Sequence, residues 1–226
     1  MFVRAIWLIL RKDLTVEVRS REIAYTTIFF AVSCILVFAF ALVKEGKPPD
    51  DGAAGILWIA IAFAGTLALG RGFERERQAE TLRALLLAPA PRPAVYLGKL
   101  MGIVTLLAGA ELLLVPLVSV LFQAPLLRYP GWLTLLLASG TLGFAAVGTL
   151  FAAMLVRARS RDVLLPVLLY PITVPVIIAG VRGTAALLQP TVDVEVVRFW
   201  IALLVAFDAV FVTLSLWTFE PLMTDG

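Results

Sequence analysis

The chain has 226 residues, of which 61% are hydrophobic and 15% are charged, and its formal net charge is +3. Soluble domains are roughly half apolar and about a quarter charged, so a mean hydropathy of +0.98 excludes a soluble globular domain and a disordered chain. The chain has no histidine and one cysteine, Cys34. Histidine acid–base catalysis, a histidine-ligated haem or copper, a zinc cluster and an internal disulfide are therefore excluded.

The N-terminal residues predict a helix that lies at the membrane surface. Over residues 3–21, apolar side chains such as Val3, Trp7 and Leu14 recur at helical spacing, and most charged side chains occupy the other side. This pattern is typical of an amphipathic interfacial helix. A simple basic anchor that sets the membrane orientation fits the same residues equally well.

Six intervals between charged segments are long and apolar enough for transmembrane helices, which need about 20 residues. They are residues 23–43, 53–70, 100–122, 132–156, 163–181 and 199–219. The first is not interpreted as a secretory signal, because its 21 uncharged residues exceed the roughly 7 to 15 of a signal core. The sequence thus predicts an all-α integral membrane protein with a single transmembrane domain over residues 1–226.

Lysine and arginine are distributed unevenly between the two sides of these spans. The N-terminal tail, residues 71–99 and residues 157–162 carry five, six and three of them, against five in all on the opposite side. By the positive-inside rule, both termini are predicted to be cytoplasmic. The net positive charge reflects this asymmetry and does not indicate nucleic-acid binding, since no basic stripe with interleaved aromatic residues is present.

The segment between the second and third spans predicts a cytoplasmic helix over residues 73–88. Leucines recur there among charged residues, and Pro89, Pro91 and Pro93 end the helix. A helix between two spans offers a docking surface for a cytosolic partner, while a solvated loop fits the same composition. The predicted docking surface consists of Phe73, Glu74, Arg75, Glu76, Glu80, Thr81, Leu82 and Arg83.

Two acidic residues, Glu111 and Asp208, fall near the middles of the third and sixth spans. An ionised side chain at that depth costs at least about 2.5 to 3.5 kcal/mol, so neither residue is expected to face lipid. One interpretation is a protonated or hydrogen-bonded acid that contacts Thr or Ser of a neighbouring span. The other is a polar path for a substrate or a proton.

The fourth and fifth spans contain residues that affect helix shape and packing. The fifth contains Pro166, Tyr170, Pro171 and Pro175, and each interior proline removes one helical hydrogen bond. We therefore expect this span to be bent or broken, either as a hinge or as a static kink. The fourth span contains small residues that predict close approach of another helix; these include Gly140, Gly143 and Gly148.

The order of these elements resembles the ABC-2 class of ABC transporter permeases, with its type V exporter-like fold, and within that class the CcmB family of cytochrome c maturation system I. Four stretches carry the likeness: Phe73–Pro89 (FERERQAETLRALLLAP) followed by Ala94–Lys99 (AVYLGK), Gly55 with Ile56 and Trp58, Thr141–Phe144 (TLGF), and the proline-spaced fifth span. One departure concerns the helix over residues 73–88, which corresponds to the ATPase-contacting coupling helix of the class. The class pattern there is Gly, then Ser or Thr, then Leu, then Glu. Here Glu80 and Arg83 flank Thr81 and Leu82.

The resemblance implies a non-catalytic, multi-pass subunit of the bacterial cytoplasmic (inner) membrane. Motifs for ATP binding are absent from the sequence, and the resemblance implies that a dimer of CcmA-type ATPase subunits binds ATP and Mg²⁺ and contacts residues 73–88. It also implies assembly with CcmC and the small CcmD, and action on the haem chaperone CcmE. Haem is then handled by the complex, and no metal ligand or cofactor site is assigned to this chain.

The resemblance leaves open whether this subunit carries haem or transmits ATP-driven motion that releases the loaded chaperone. The absence of histidine favours transmission, because the usual strong iron ligand is missing and Tyr or Met would be weaker ones. Two other functions fit the same topology. One is an ABC-2 permease that exports a lipid, glycan or drug, and the other is a non-ABC scaffold or a proton-coupled carrier that uses Glu111 and Asp208.

Overall fold

A computed structural model of the chain describes residues 2–42, 52–78, 91–158 and 160–224. In these ranges the chain forms seven α-helices: α1 (Phe2–Ser20), α2 (Glu22–Leu42), α3 (Gly52–Gln78), α4 (Arg92–Leu121), α5 (Pro130–Met154), α6 (Arg161–Leu188) and α7 (Val194–Thr224). Short 3₁₀ turns, Leu126–Arg128 and Leu155–Arg157, follow α4 and α5. Helices α2 to α7 are long and apolar enough to cross a membrane, which confirms the predicted all-α membrane fold with six spans.

Several spans are longer than the charge-free intervals that predict them. Helix α4 begins at Arg92 instead of residue 100, and α7 begins at Val194 instead of residue 199. Long polar side chains at the ends of a span can reach water while the backbone stays helical. An interval without charges therefore marks the apolar part of a span and underestimates the whole helix.

The predicted helix over residues 73–88 does not begin as a separate helix, because its first six residues belong to α3. Helix α3 runs without interruption from Gly52 to Gln78, so Phe73–Gln78 continue the second span. Glu, Arg and Gln favour helices, and nothing between Gly70 and Phe73 ends this one. The rest of the predicted helix, with Glu80, Thr81, Leu82 and Arg83, lies outside the described residues.

The fifth span, expected to be bent or broken, is not broken, and a bend at its prolines stays a prediction. Helix α6 is continuous from Arg161 to Leu188, with Pro166, Pro171 and Pro175 in its interior. Each proline removes only one hydrogen bond, and in lipid the neighbouring peptide groups have no partner other than the helix itself. The remaining hydrogen bonds therefore keep the helix intact.

A one-residue turn at Arg21 redirects the chain from α1 into the first span. The backbone of Arg21 is left-handed, with φ 54°, which costs a non-glycine residue about 1 to 2 kcal/mol. Its N–H donates to the Glu17 carbonyl at 2.6 Å, and its own carbonyl accepts from Tyr25 N–H at 2.9 Å. Contacts of Glu17 with Ala24 of α2 and Arg75 of α3 hold this turn in place.

Helices α3 and α5 form the centre of the bundle. Their most apolar 18-residue stretches are 67% and 72% buried, against 17% for α7. At the core, Trp58 of α3 donates its indole N–H to Thr184 Oγ1 of α6 at 2.9 Å. A Cβ atom on Gly140 or Gly180 would lie 2.2 or 2.3 Å from the Trp58 ring. The predicted close approach at Gly140 is therefore confirmed.

Candidate functional site

A cluster of charged side chains joins α1, α3 and α4 and is called here the junction cluster: Lys12, Asp13, Glu76 and Lys99. Lys99, which is only 6% exposed, lies at its centre. The Lys99 Nζ atom is 2.7 Å from Asp13 Oδ2 and also pairs with Glu76 Oε1. Lys12 Nζ lies 2.8 Å from Asp13 Oδ1 and 3.5 Å from Glu76 Oε1. Two cations and two carboxylates thus balance each other, as charges removed from water require.

A second ionic contact ties the end of α3 to the turn between α1 and α2. Arg75 Nη2 lies 3.0 Å from Glu17 Oε2, and Arg75 Nη1 donates to Ser20 Oγ at 2.9 Å. The other Glu17 oxygen accepts the backbone N–H of Ala24 at 2.8 Å. Glu17 therefore connects α3 with the first turn of α2, and this contact supports the left-handed turn at Arg21.

Small residues on α4 bring α1 close enough for these pairs to form. A Cβ atom on Gly98 would lie 2.8 Å from Ile9 Cβ, and one on Gly102 would lie 3.7 Å from Asp13 Oδ2. The backbones of α1 and α4 thus approach each other directly. Asp13 consequently lies within hydrogen-bonding distance of Lys99. Lys99 precedes Gly102 by about one helical turn on α4.

Helix α1 is amphipathic, as predicted, and some of its charged side chains face the bundle instead of water. Val3, Trp7 and Leu8 are exposed apolar side chains on one side, the pattern of a helix embedded in the membrane interface. Asp13 and Glu17, by contrast, are directed into the bundle, where they pair with Lys99 and Arg75. The helix is thus an interfacial element that is also attached to α3 and α4.

The junction cluster borders a cavity of about 470 Å³ lined by α1, α2, α3 and α4. Its charged lining comes from α1, with Lys12, Asp13 and Glu17, from the polar end of α3 and from the first turns of α4. Further along the same helices and on α2 the lining is apolar, and it includes Ala68, Ile103, Leu106 and Ile28. The cavity is therefore amphiphilic, with charge at one end and hydrocarbon side chains along its length.

The two acids in the membrane contact different residues of α5. Glu111 is 8% exposed and accepts a hydrogen bond from the Thr141 hydroxyl. Asp208 is 7% exposed, and its Oδ1 lies beside Gly143, with no hydrogen-bond partner among the described residues. In the part of the chain that the structure describes, no three His, Cys, Asp or Glu side chains lie close enough together to hold a metal ion.

Tyr170 connects the proline-containing helix α6 with the centre of the bundle. Its hydroxyl is hydrogen-bonded to the Thr66 hydroxyl of α3, with 3.2 Å between Oη and Oγ1. Its ring also meets the ring of Phe63 edge-on, with 6.3 Å between the centroids. Pro171 and Pro175, by contrast, are exposed on the outside of the bundle. Among Tyr170, Pro171 and Pro175, it is therefore Tyr170 that contacts the central helix α3 through a polar group.

Residues 4–221 match the model of the family described as CcmB protein. The chain belongs to the CcmB family. It is 36% identical to Heme exporter protein B of Escherichia coli strain K12, over 76% of this chain and 78% of that relative. It is 30% identical to the protein of the same name from Rhodobacter capsulatus, again over 76% and 78%. The protein of that name from Pseudomonas aeruginosa is 28% identical over 76% of each chain.

In this member of the CcmB family, most of the described part of the predicted docking surface faces the chain's own helices. Phe73 and Glu76 are buried, and the half-buried Arg75 pairs with Glu17. Glu74 pairs with Arg77 at 3.1 Å along α3 itself. These residues continue a span, so one side of the helix remains packed in the bundle. The structure thus separates Phe73, Arg75 and Glu76, which make internal contacts, from residues 79–88, which lie outside the described ranges.

Four charged residues of this site are not among the site residues predicted from the sequence: Lys12, Asp13, Glu17 and Lys99. The first three are placed there on the charged side of the N-terminal helix, and Lys99 is counted among the cytoplasmic basic residues and within the stretch Ala94–Lys99. One signal was present in the sequence. Lys99 follows Gly98 directly before a long apolar interval, and a charge in that position needs a partner when a neighbouring helix packs on the glycine.

Proposed function

We propose that the chain is the membrane subunit of an ABC transporter-like complex in c-type cytochrome biogenesis. ATP hydrolysis by a separate CcmA-type ATPase dimer then drives haem export or delivery, or the release of the haem-loaded chaperone. The observation that carries this proposal is the match of residues 4–221 to the CcmB family. The name Heme exporter protein B of the relatives supports haem as the cargo.

The junction cluster suggests how movement passes from the ATPase into the membrane. The ATPase contacts residues 79–88, including Glu80, Thr81, Leu82 and Arg83, and displaces the end of α3. Arg75 and Glu76 attach that end to α1 and α4 through ion pairs. Breaking the buried Glu76–Lys99 pair is costly, and the half-buried Arg75–Glu17 pair adds a second link, so α1 and α4 follow α3 as a unit. The cytoplasmic location of this end agrees with the excess of Lys and Arg on the same side.

In this proposal the chain transmits motion and does not ligate haem iron. It has no histidine to serve as the axial ligand. ATP and Mg²⁺ are bound by the ATPase subunits, and haem is handled with CcmC, CcmD and the chaperone CcmE. The subunit is therefore a non-catalytic part of the complex in the bacterial inner membrane, with both termini in the cytoplasm.

Purification of the tagged chain from its native membranes in mild detergent tests the proposal. We expect mass spectrometry to identify an ATPase together with haem-handling membrane subunits, and the visible spectrum to show a Soret band. An ATPase that arrives without these subunits would instead indicate a general ABC-2 exporter. An intact complex that contains no ATPase would exclude an ABC transporter altogether.

A charge-reversal variant locates the ATPase contact in the same experiment. Glu80→Lys combined with Arg83→Glu should lose the ATPase and keep the other membrane subunits. The matched control, Glu195→Lys combined with Arg182→Glu, reverses charges at two exposed positions at the opposite end of the bundle and should keep both. Retention of the ATPase by the first variant would contradict the contact at residues 79–88. The role in haem handling would still be decided by the wild-type preparation.

A further inference from the structure

Glu76 has one carboxylate oxygen that no group in the described part of the chain satisfies. Its Oε1 is shared by Lys12 and Lys99, whereas its Oε2 is buried without a hydrogen-bond partner. Glu76 is 8% exposed and lines the amphiphilic cavity between α1, α2, α3 and α4. A buried carboxylate oxygen without a donor is unfavourable. Because Oε2 itself is closed off in this conformation, a ligand that carries N–H or O–H groups would reach it through a small rotation of the Glu76 carboxylate, which lines the cavity.

We propose that this cavity binds a phospholipid whose headgroup ends in a primary ammonium, as in phosphatidylethanolamine. The ammonium donates to Glu76 Oε2, and an acyl chain lies along the apolar lining formed by Ile28, Ile103 and Leu106. A volume of about 470 Å³ holds only part of a phospholipid, so the second acyl chain stays outside the cavity in the bilayer. This site does not depend on what the complex transports.

The charges around the cavity favour a zwitterionic lipid over an anionic one. The junction cluster has two cations and two carboxylates, and Arg75 is balanced by Glu17. No net positive charge remains to favour a lipid with net negative charge. A zwitterion preserves this balance, because its ammonium meets Glu76 while its phosphate lies near the half-exposed Lys12 and Arg75.

The chemistry of Glu76 Oε2 distinguishes between the two common zwitterionic headgroups. A primary ammonium has three N–H donors, as the lysine side chain does. The quaternary ammonium of phosphatidylcholine has none and cannot satisfy the free oxygen. The hydrogen-bonding requirement of Oε2 therefore selects the primary amine, and phosphatidylcholine with the same acyl chains is the matched control ligand.

The position of the cavity also fits a lipid headgroup. Its charged end lies beside α1, whose exposed Val3, Trp7 and Leu8 form the apolar side of an interfacial helix. Its apolar end extends along the spans α2 and α4 toward Ala110. Charge at the interface and hydrocarbon toward the interior is the arrangement of a phospholipid in a membrane.

The test uses the full-length chain reconstituted in nanodiscs that contain equal amounts of phosphatidylethanolamine, phosphatidylglycerol and phosphatidylcholine with identical acyl chains. Native mass spectrometry then counts the lipids that remain bound to the chain after it is released from the nanodiscs. Wild type should retain phosphatidylethanolamine over phosphatidylcholine by at least about five-fold, as expected for a hydrogen bond to a charged group. Glu76→Gln should reduce this preference to less than about two-fold, and Glu22→Gln, at an exposed carboxylate, should leave it unchanged.

A second variant tests the acyl-chain site without altering any charge. Gly109 lines the cavity and has no atom within 4 Å of a Cβ position, so Gly109→Leu fills the space without a backbone clash. It should lower the retention of all three lipids, whereas Gly131→Leu, at another open glycine outside the cavity, should not. Equal retention of all headgroups by wild type, preference for phosphatidylglycerol, or normal retention by Gly109→Leu would each overturn the proposal. If Glu76→Gln does not fold, wild-type selectivity and Gly109→Leu still decide the question.

Discussion

Lys99 and Asp13 form an ion pair of 2.7 Å between the first turns of α4 and the interfacial helix α1. Lys99 is only 6% exposed, and its ammonium also pairs with Glu76 at the end of α3. Three helices that are distant in sequence thus meet at one nitrogen atom. Such a group is stable only while its partners are present, because a buried charge without a counter-charge is strongly destabilising.

Replacement of Lys99 by Met should therefore lower the stability of the protein substantially. The variant leaves the Asp13 and Glu76 carboxylates together with only Lys12 to balance them. The expected loss is about 3 to 5 kcal/mol, the range for breaking a buried ion pair. Thermal unfolding of the purified chain in detergent, followed by circular dichroism, measures the change as a lower melting temperature.

Two controls distinguish the buried cluster from surface ion pairs. Arg77→Met removes the exposed pair with Glu74 and should change stability by no more than about 1 kcal/mol. The double variant Lys99→Met, Glu76→Gln leaves Lys12 and Asp13 as a matched pair and should recover part of the loss. A double variant less stable than Lys99→Met alone would contradict the role assigned to the cluster.

The six spans and the amphipathic α1 could be predicted because lipid imposes simple rules on sequence. A span must be apolar over about 20 residues, and its backbone must be hydrogen-bonded internally. The charge-free intervals therefore identify α2 to α7 directly. The three interior prolines of α6 left a bend and a break as alternatives, and the helix is not broken, because loss of single hydrogen bonds does not end a helix that lipid surrounds.

The junction cluster could not be predicted because it depends on contacts between distant parts of the chain. Asp13 and Lys99 are 86 residues apart, and no local pattern specifies that they pair. The boundary of α3 has the same origin. Helix-favouring charged residues after Gly70 extend the span to Gln78, and tertiary contacts with Glu17 and Lys99 decide where Arg75 and Glu76 are directed.

Replacement of Arg75 by Ala should uncouple ATP hydrolysis from the formation of c-type cytochromes. The variant removes the contact between the end of α3 and Glu17, which holds the first turn of α2. Cytochrome assembly, measured by haem staining of membranes, should fall by about five-fold or more, as expected for loss of a coupling free energy of about 1 kcal/mol. ATP hydrolysis by the same membranes should continue.

A charge exchange tests whether the Arg75–Glu17 contact itself is responsible. Arg75→Glu combined with Glu17→Arg restores the ion pair in reverse order but not the hydrogen bond from Ala24 N–H to position 17, so it should recover assembly in part relative to Arg75→Glu alone. Arg19→Ala, at an exposed position on α1, serves as the control and should assemble cytochromes normally. Equal defects in Arg75→Ala and Arg19→Ala would show that only the surface charge matters.

Glu111→Gln should leave both folding and cytochrome assembly near normal. An amide oxygen can still accept the hydrogen bond of the Thr141 hydroxyl, so the contact between α4 and α5 is preserved. Glu111→Leu leaves that hydroxyl unpaired and should lower stability by about 1 to 3 kcal/mol. Thermal unfolding and haem staining measure the two effects separately.

The double variant Glu111→Gln, Asp208→Asn extends this test to the second acid in the membrane. A proton-coupled carrier needs groups that exchange protons, and neither amide does so at physiological pH. We expect the double variant to retain assembly, because the proposed function draws its energy from ATP. Complete loss of assembly in a folded double variant would favour the carrier instead.

Gly140→Ala should destabilise the centre of the bundle, since the added methyl carbon would lie 2.2 Å from the ring of Trp58. The expected loss is about 1 to 3 kcal/mol, the usual range for overpacking a core, and thermal unfolding measures it. Gly131→Ala, where a Cβ atom meets nothing within 4 Å, is the matched control and should not lower stability.

Trp58→Phe removes the part of the ring that approaches Gly140 but also the hydrogen bond to Thr184. The double variant Gly140→Ala, Trp58→Phe should therefore be more stable than the sum of the single losses by at least about 0.5 kcal/mol, and strict additivity would show that the two residues do not pack against each other.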